Sequence, residues 1–203
     1  MTDHYYSDEP HSASDPVLFE TVVKGQRLKL YTDHGVFSRG KIDYGTQFLL
    51  ETVQLDEPVT IVDLGCGYGP VGITLALAYP SSRVWMIDRN ERAVGLARQN
   101  AKNNGVLDRT TIRVGDGLGE FKDAESFQAI LLNPPIRAGK ETVFRLYREA
   151  AEHVTDDGAL YIVIQKKQGA ESSERYLQSL FHDVVLLAKS AGYRVYKSSR
   201  RKY

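Results

Sequence analysis

Ile61-Val62-Asp63-Leu64-Gly65-Cys66-Gly67-Tyr68-Gly69-Pro70 decides the fold. Val59, Ile61, Val62 and Leu64 make a short apolar run of the kind that forms a strand covered on both faces of a parallel sheet. Gly65, Gly67 and Gly69 then stand at alternate positions, where the missing Cβ lets the backbone turn tightly and pass close to a ligand. Pro70 sits where the first turn of a helix tolerates proline, and Val71-Gly72-Ile73 continue that helix. Strand, glycine-rich turn and helix together read as a nucleotide-type cofactor loop.

The loop alone leaves the cofactor open. Gly67-Tyr68-Gly69-Pro70-Val71-Gly72 formally satisfies the dinucleotide pattern G-x-G-x-x-G, with Asp88 ending the next predicted strand. Against a dinucleotide stands Asp63, a carboxylate close to where a pyrophosphate dianion would lie. A carboxylate there suits a ligand with positive charge, such as the sulfonium and amino groups of S-adenosylmethionine. Asp63, Gly65, Gly67 and Gly69 resemble, one for one, motif I of class I methyltransferases, Asp-x-Gly-x-Gly-x-Gly.

Outward from the loop, strands alternate with helices. Strand 59–64 leads to helix 70–79, and strand 83–88 leads to helix 90–104, with Ala93, Leu96, Ala97, Asn100 and Ala101 on one face. Strand 110–114, strand 127–132, helix 140–154, strand 159–165 and a helix over about 171–180 follow. This order implies βαβ crossovers and a parallel sheet. Val184 to Lys189 and Tyr193 to Lys197, joined by Ser190-Ala191-Gly192, read as a closing antiparallel hairpin. Upstream, Val17 to Val23 and Arg27 to Thr32 read as strands around a Lys24-Gly25-Gln26 turn, and Gln47 to Val53 as a helix. The expected fold is α/β and Rossmann-like: a mostly parallel seven-stranded sheet, helices on both faces and a C-terminal antiparallel hairpin. Class I methyltransferases have this sheet. The expected organisation is a flexible arm over 1–16 and one domain over 17–203, divided into a β/helical extension (17–55) and a Rossmann-like core (56–203).

Ligands of such sheets bind beyond the carboxyl ends of the strands. Asp63 ends the first core strand. Asp88 ends the second, where it can accept both ribose hydroxyls or cap the following helix. Gly115-Asp116-Gly117 ends the third, where Asp116 can accept from an adenine amino group or simply form a turn. The fourth strand runs into Asn133-Pro134-Pro135-Ile136. Proline fixes its own φ and restricts the residue before it, so the geometry of Asn133 and Pro134 is preset. The Asn133 side chain and the Pro134 carbonyl offer two acceptors to one –NH₂ group. A planar amine is a poor nucleophile because its lone pair is delocalised, and acceptors on both protons favour the pyramidal form. Such catalysis rests on positioning and preorganised acceptors.

Asn133-Pro134-Pro135 resembles motif IV of the amino-methyltransferases, Asn/Asp-Pro-Pro-Tyr/Phe/Trp, with Ile136 in place of the aromatic that stacks on the target base. Together with Gly35-Val36-Phe37-Ser38 and Asp43-Tyr44-Gly45-Thr46, it resembles the "methyltransferase small domain" proteins, which include bacterial ribosomal RNA guanine-N2 methyltransferases. The resemblance runs from about Phe19 to the carboxyl end. It implies that the Phe37–Thr46 segment closes over the cofactor with Thr46 in contact; a helix N-cap just before Gln47 is the other reading of Thr46. It also implies S-adenosylmethionine as cofactor, S-adenosylhomocysteine as product, and Ile136 against the base.

Equal numbers of Lys+Arg and Asp+Glu, 26 each, exclude a uniformly basic nucleic-acid sponge but not a local basic face. Arg137, Lys140, Lys166 and Lys167 fall at predicted strand mouths, Arg145 and Arg148 share a helix, and the chain after Lys189 holds cations without acids. Phosphate contact is the functional reading, with Arg137, Lys140 and Lys166 as candidate substrate contacts. The single cysteine, Cys66, excludes an internal disulfide and fits a reducing compartment. The amino terminus shows no apolar h-region, and no run approaches the ~18 apolar residues of a membrane span. A cytoplasmic protein, monomeric or homodimeric, is expected. The histidines share no metal-ligand spacing, and no metal is assigned. The function expected is methyl transfer to the exocyclic amine of a guanine in ribosomal RNA. A protein-glutamine methyltransferase, a cofactor-binding RNA module without turnover and a nicotinamide oxidoreductase fit parts of the same pattern.

Overall fold

The computed structural model describes residues 14–121 and 126–202; residues 1–13 of the expected arm lie outside them. The elements are β1 (Val17–Val23), β2 (Gln26–Thr32), α1 (Tyr44–Thr52), β3 (Thr60–Leu64), α2 (Pro70–Ala78), β4 (Arg83–Asp88), α3 (Glu91–Asn103), β5 (Thr110–Val114), β6 (Phe127–Leu132), α4 (Lys140–His153), β7 (Val154–Gln165), α5 (Ala170–Leu180), β8 (Phe181–Ser190) and β9 (Tyr193–Arg201). The main sheet has seven strands in the order β5-β4-β3-β6-β7-β9-β8. The first five pair in parallel, while β9 runs antiparallel to both β7 and β8. The expected sheet and its reversed hairpin are both present.

Alternation along the strands distributes the core to two faces. Ala129, Leu131, Tyr161 and Val163 pack with α1, α2 and α3, whereas Ile130, Leu132, Leu160 and Ile162 pack with α4 and α5. The period of two is that of a strand whose successive side chains point to opposite faces. Because both faces are covered, the central strands read as unbroken apolar runs.

β1 and β2 form a separate two-stranded sheet. Val23 pairs with Gln26, so the turn is only Lys24-Gly25, both at positive φ (51° and 71°) as a two-residue primed turn requires. Leu28 and Leu30 are fully buried in the core over α2 and α3. Asn100 of α3 and Asn104, which caps its end, complete the edge of β2: Asn100 exchanges hydrogen bonds with Tyr31 and Asn104 does so with Lys29. The amino-terminal approach is also fastened, since Ser14 Oγ and the Asp15 amide both donate to the buried Asp33 carboxylate at 2.7 Å.

Several boundaries differ from expectation. α1 begins at Tyr44, not Gln47, because Asp43 is its N-cap and accepts from the Thr46 amide. β7 begins at Val154 rather than Ala159. The sequence Asp156-Asp157-Gly158 reads as a turn, yet it is absorbed into the strand by a register shift opposite Phe127 and Ala129. A Cβ on Gly158 would lie 2.7 Å from the Gln128 carbonyl, so that close approach needs glycine. The closing hairpin is longer than expected at both ends, with a two-residue Ala191-Gly192 turn.

Candidate active site

A cavity of about 490 Å³ opens at the carboxyl ends of β3, β4, β6 and β7, where strand order reverses direction on either side of β3. Its floor is the β3–α2 loop. Gly65 and Cys66 both donate to the Ile87 carbonyl, at 2.8 and 2.9 Å, which fixes the loop to the end of β4. Gly65 and Gly67 take φ of +73° and +56°, and a Cβ on either would meet nothing within 4 Å. Their backbone therefore presents an open face to a ligand, in a conformation only glycine adopts freely.

Two carboxylates lie beneath that loop, Asp63 buried and Asp88 half-buried. Asp63 is 3% exposed, and its Oδ2 accepts from the Gly72 amide at 2.8 Å. Burial, reinforced by the nearby Asp88, raises its carboxyl to about 7. Asp88 accepts from the Gly67 amide (2.8 Å) and the Asn90 amide (2.9 Å), and burial raises it as well. The cap of α3 is Asn90, not Asp88: its Oδ1 accepts from Ala93, while its Nδ2 holds the Gly35 carbonyl. Each Asp88 oxygen is thus singly engaged, which leaves lone pairs for a ligand's hydroxyls. Among the described residues neither acid has an ion-pair partner. That donor set fits a cationic ligand such as S-adenosylmethionine, whose ammonium and sulfonium would relieve it, and it disfavours a pyrophosphate. Burial and the two neighbouring acids hold the Cys66 thiol protonated, as befits a small packed residue.

Asp116 lines the same cavity but is not free. Arg145 of α4 donates to its Oδ1 (2.9 Å) and to its carbonyl (2.8 Å). Arg145 also binds Glu149 (2.7 Å), and the buried Glu149 accepts from the Leu118 amide at 2.8 Å. Arg145 is therefore a clamp on the loop after β5 rather than a phosphate contact. The sequence reading passed over Glu149 entirely; a Cβ on Gly117 would lie 2.1 Å from its Oε2.

Asn133 follows β6 and brings together residues far apart in sequence. Its Nδ2 donates to Thr46 Oγ1 at 3.0 Å and lies 3.5 Å from Asp43 Oδ1. Thr46 is buried inside α1 and lines the cavity, so it is not the N-cap. Pro134 is buried, and its carbonyl already accepts from the Ile136 amide at 2.9 Å across Pro135, whose φ and ψ of −76° and 77° are those of an inverse γ-turn. One lone pair of that carbonyl remains.

The expected substrate contacts divide. Ile136 and Arg137 line the cavity. Lys140 lies outside it, its Nζ 5.0 Å from the centre of the Phe144 ring. Lys166 lines a second, neighbouring cavity. The basic chain end is engaged within the fold, where Arg200 binds Asp183, Arg194 faces Glu174 at 3.8 Å and Lys202 reaches the Gln178 carbonyl. Tyr193, at the start of β9 beside Gln165, also lines the main cavity, packed so closely on α1 that a Cβ on Gly45 would lie 2.9 Å from its ring.

The family description "Methyltransferase small domain" matches residues 27–197. The uncharacterized protein YbxB of Bacillus subtilis is 39% identical over 203 residues, covering 98% of this chain and all of that protein. Ribosomal RNA small subunit methyltransferase C of Pseudomonas fluorescens is 32% identical over 182 residues, 85% of this chain and 51% of the enzyme. The T. thermophilus 16S rRNA N2 G1207 methyltransferase, solved with AdoMet and guanosine, superposes with a TM-score of 0.83 at 22% identity, over 95% of this chain and 52% of that one. The chain thus spans the whole of its Bacillus relative and about half the length of these ribosomal RNA enzymes.

Proposed function

The chain belongs to the methyltransferase small domain family, whose members use S-adenosylmethionine, and from that premise we propose that it methylates the exocyclic amine of a guanine in ribosomal RNA. The observation that carries this reading is the Asn133 amide. Its –NH₂ end is held by Thr46 and Asp43, while nothing among the described residues donates to its Oδ1. Asp43 is an acceptor only, so it favours the orientation that leaves Oδ1 for a ligand.

S-adenosylmethionine, when bound, supplies an electrophilic methyl group on its sulfonium. Asp63, Asp88 and the backbone of Gly65 and Gly67 would hold the cofactor, and the Arg145–Glu149 clamp would set Asp116 at its adenine end; Gly69, expected beside them, packs instead against Ile73, Met86 and Ala97. Asn133 Oδ1 and the free lone pair of the Pro134 carbonyl accept the two protons of the target amine. That pair favours a pyramidal nitrogen with its lone pair released from the ring. The acceptors are preorganised: the amide is bonded from behind, and the γ-turn at Pro135 fixes the carbonyl. The surplus proton leaves after transfer, when the nitrogen is cationic. Ile136 and Tyr193 bracket the base, the tyrosine offering the π-face that position 136 lacks. Such a base is reached unstacked or in a single-stranded loop.

Guanine is favoured because the Pseudomonas and T. thermophilus proteins are named as ribosomal RNA methyltransferases, the latter acting at N2 of a guanine. A cytoplasmic location goes with this reading. The test is tritiated methyl transfer from S-adenosylmethionine to ribosomal RNA and to subunits lacking the native modification, followed by digestion to nucleosides. Label in N2-methylguanosine is expected, and Asn133→Ala should lower the rate on the order of 10²–10³-fold, as loss of one preorganised hydrogen-bonding group does elsewhere. Label in N6-methyladenosine would change the base. Label in protein alone would move the target to an amide nitrogen.

A further inference from the structure

The cations that the sequence places at strand mouths are divided by the fold: Lys140 lines neither cavity, and the others fall into two. Arg137 stays with Asn133. Lys166 and Lys167 turn away after β7 and, with Arg175 of α5, line a second, open cavity of about 710 Å³. The Ala191-Gly192 turn forms another wall, held to the Lys166 amide by a 2.7 Å hydrogen bond from that amide to the Gly192 carbonyl. Gln165 lines both cavities, so the second adjoins the candidate active site.

The charge balance of this groove is one-sided. Lys166, Lys167 and Arg175 are exposed, and none has an ion pair among the described residues. This contrasts with Arg145, Arg194 and Arg200, each of which faces a carboxylate. Among the described residues Glu171 is the one acid lining the groove, so three cations face a single carboxylate. Ser172 and Gly169 complete the lining with the first turn of α5, which has no side-chain cap. Unpaired cations clustered in a concavity beside a reactive centre attract a polyanion that passes through both.

We infer that this groove binds the RNA backbone next to the target nucleotide, Lys166, Lys167 and Arg175 contacting consecutive phosphates while the base enters the Asn133 cavity. The inference rests on the RNA reading above and adds a path for the strand: across Gln165, between β7 and the β8–β9 turn. Phosphate contacts set register and orientation without reading sequence, which suits a fold whose discrimination resides at Asn133 and Tyr193.

The test is fluorescence anisotropy of the full chain with a labelled single-stranded RNA containing guanine, across a range of salt concentrations. The variant Lys166→Ala/Lys167→Ala/Arg175→Ala removes three exposed cations without touching the core. Losing about three phosphate contacts should lower the slope of log K against log salt by about 2, which is on the order of a hundredfold in affinity at about 0.1 M salt. Lys166→Arg/Lys167→Arg/Arg175→Lys should retain wild-type binding, and S-adenosylmethionine affinity should be unchanged in both. Wild-type affinity and slope in the alanine variant would overturn the groove. So would RNA binding that is unchanged while methylation of assembled subunits falls, because the groove would then meet protein. Methyl incorporation by the wild type reports separately on the enzymatic reading: a groove that binds RNA in a protein that never labels it would leave the inference standing and sink the reaction.

Discussion

Replacing Thr46 by valine tests whether the Asn133 amide is oriented from behind. Valine keeps the shape of threonine and removes only Oγ1, the acceptor 3.0 Å from Asn133 Nδ2. The cap of α1 survives, because Asp43 accepts from the backbone amide of residue 46 and not from its side chain. What remains to orient the amide is Asp43 Oδ1 at 3.5 Å, a weak contact. A hydrogen bond of this kind contributes about 0.5–1.5 kcal/mol net. At about 1.4 kcal/mol per factor of ten, kcat should fall roughly two- to tenfold as the amide samples the orientation that turns its –NH₂ toward the substrate. Thr46→Ser restores the acceptor and should restore kcat. The assay is steady-state methyl transfer with calorimetric titration of S-adenosylmethionine in parallel. An unchanged kcat, or a loss confined to cofactor affinity, would refute the reasoning and make Thr46 a packing residue or a direct cofactor contact.

Two further outcomes follow from the buried charges. Burial raises the Asp63 carboxyl from an ordinary value of 3.8 to about 7. Folding therefore takes up a proton between those values, and the free protein should lose stability as pH rises through that window. A cationic cofactor draws that proton off, so S-adenosylmethionine affinity should rise with pH up to about 7 and level off above it, and Asp63→Asn should flatten the dependence; calorimetry in buffers of different ionisation enthalpy measures the released proton. Glu149→Ala leaves the Leu118 amide without its acceptor and Arg145 without its buried partner. The melting midpoint should drop by an amount equivalent to about 1–3 kcal/mol, and the KM for S-adenosylmethionine should rise more than kcat falls as Asp116 loosens.

What was legible in the sequence follows the range of the interactions. The apolar runs ending at Leu64 and Leu132 announce strands buried on both faces, and the alternation of strand and helix then dictates the sheet. Positions whose conformation is set locally, Gly65 and Gly67 of the β3–α2 loop and the prolines after Asn133, were legible as a cavity lining for the same reason. The misplaced or missed features depend on contacts between distant segments. Thr46 meets Asn133 across 87 positions, and Glu149 meets Leu118 across 31. Asp43 carries a signal of its own, since an aspartate shortly before the first apolar residues of a helix is an N-cap candidate. Tyr193 had a weaker one: the first residue after a hairpin turn lies beside the end of its partner strand, and for β7 that end is the site.

The division of the basic residues shows why proximity in sequence misleads at strand mouths. Arg137 and Lys140 are three positions apart, yet a short 3-10 turn over Ile136–Ala138 and the start of α4 send one into the cavity and the other against Phe144. Lys166 and Arg175 are nine positions apart and line the same cavity, because the first two turns of α5 lie beside its own entry loop. The two cavities thus differ in kind. One places acids under a glycine loop and an amide at its rim, a site for a small cation and a flat amine. The other offers unpaired cations with nothing to select one base over another. On the proposed reading, these adjoining cavities separate the work of holding a strand from the work of choosing the atom to be methylated, so substitutions in the groove should act on KM for RNA and substitutions around Asn133 on kcat.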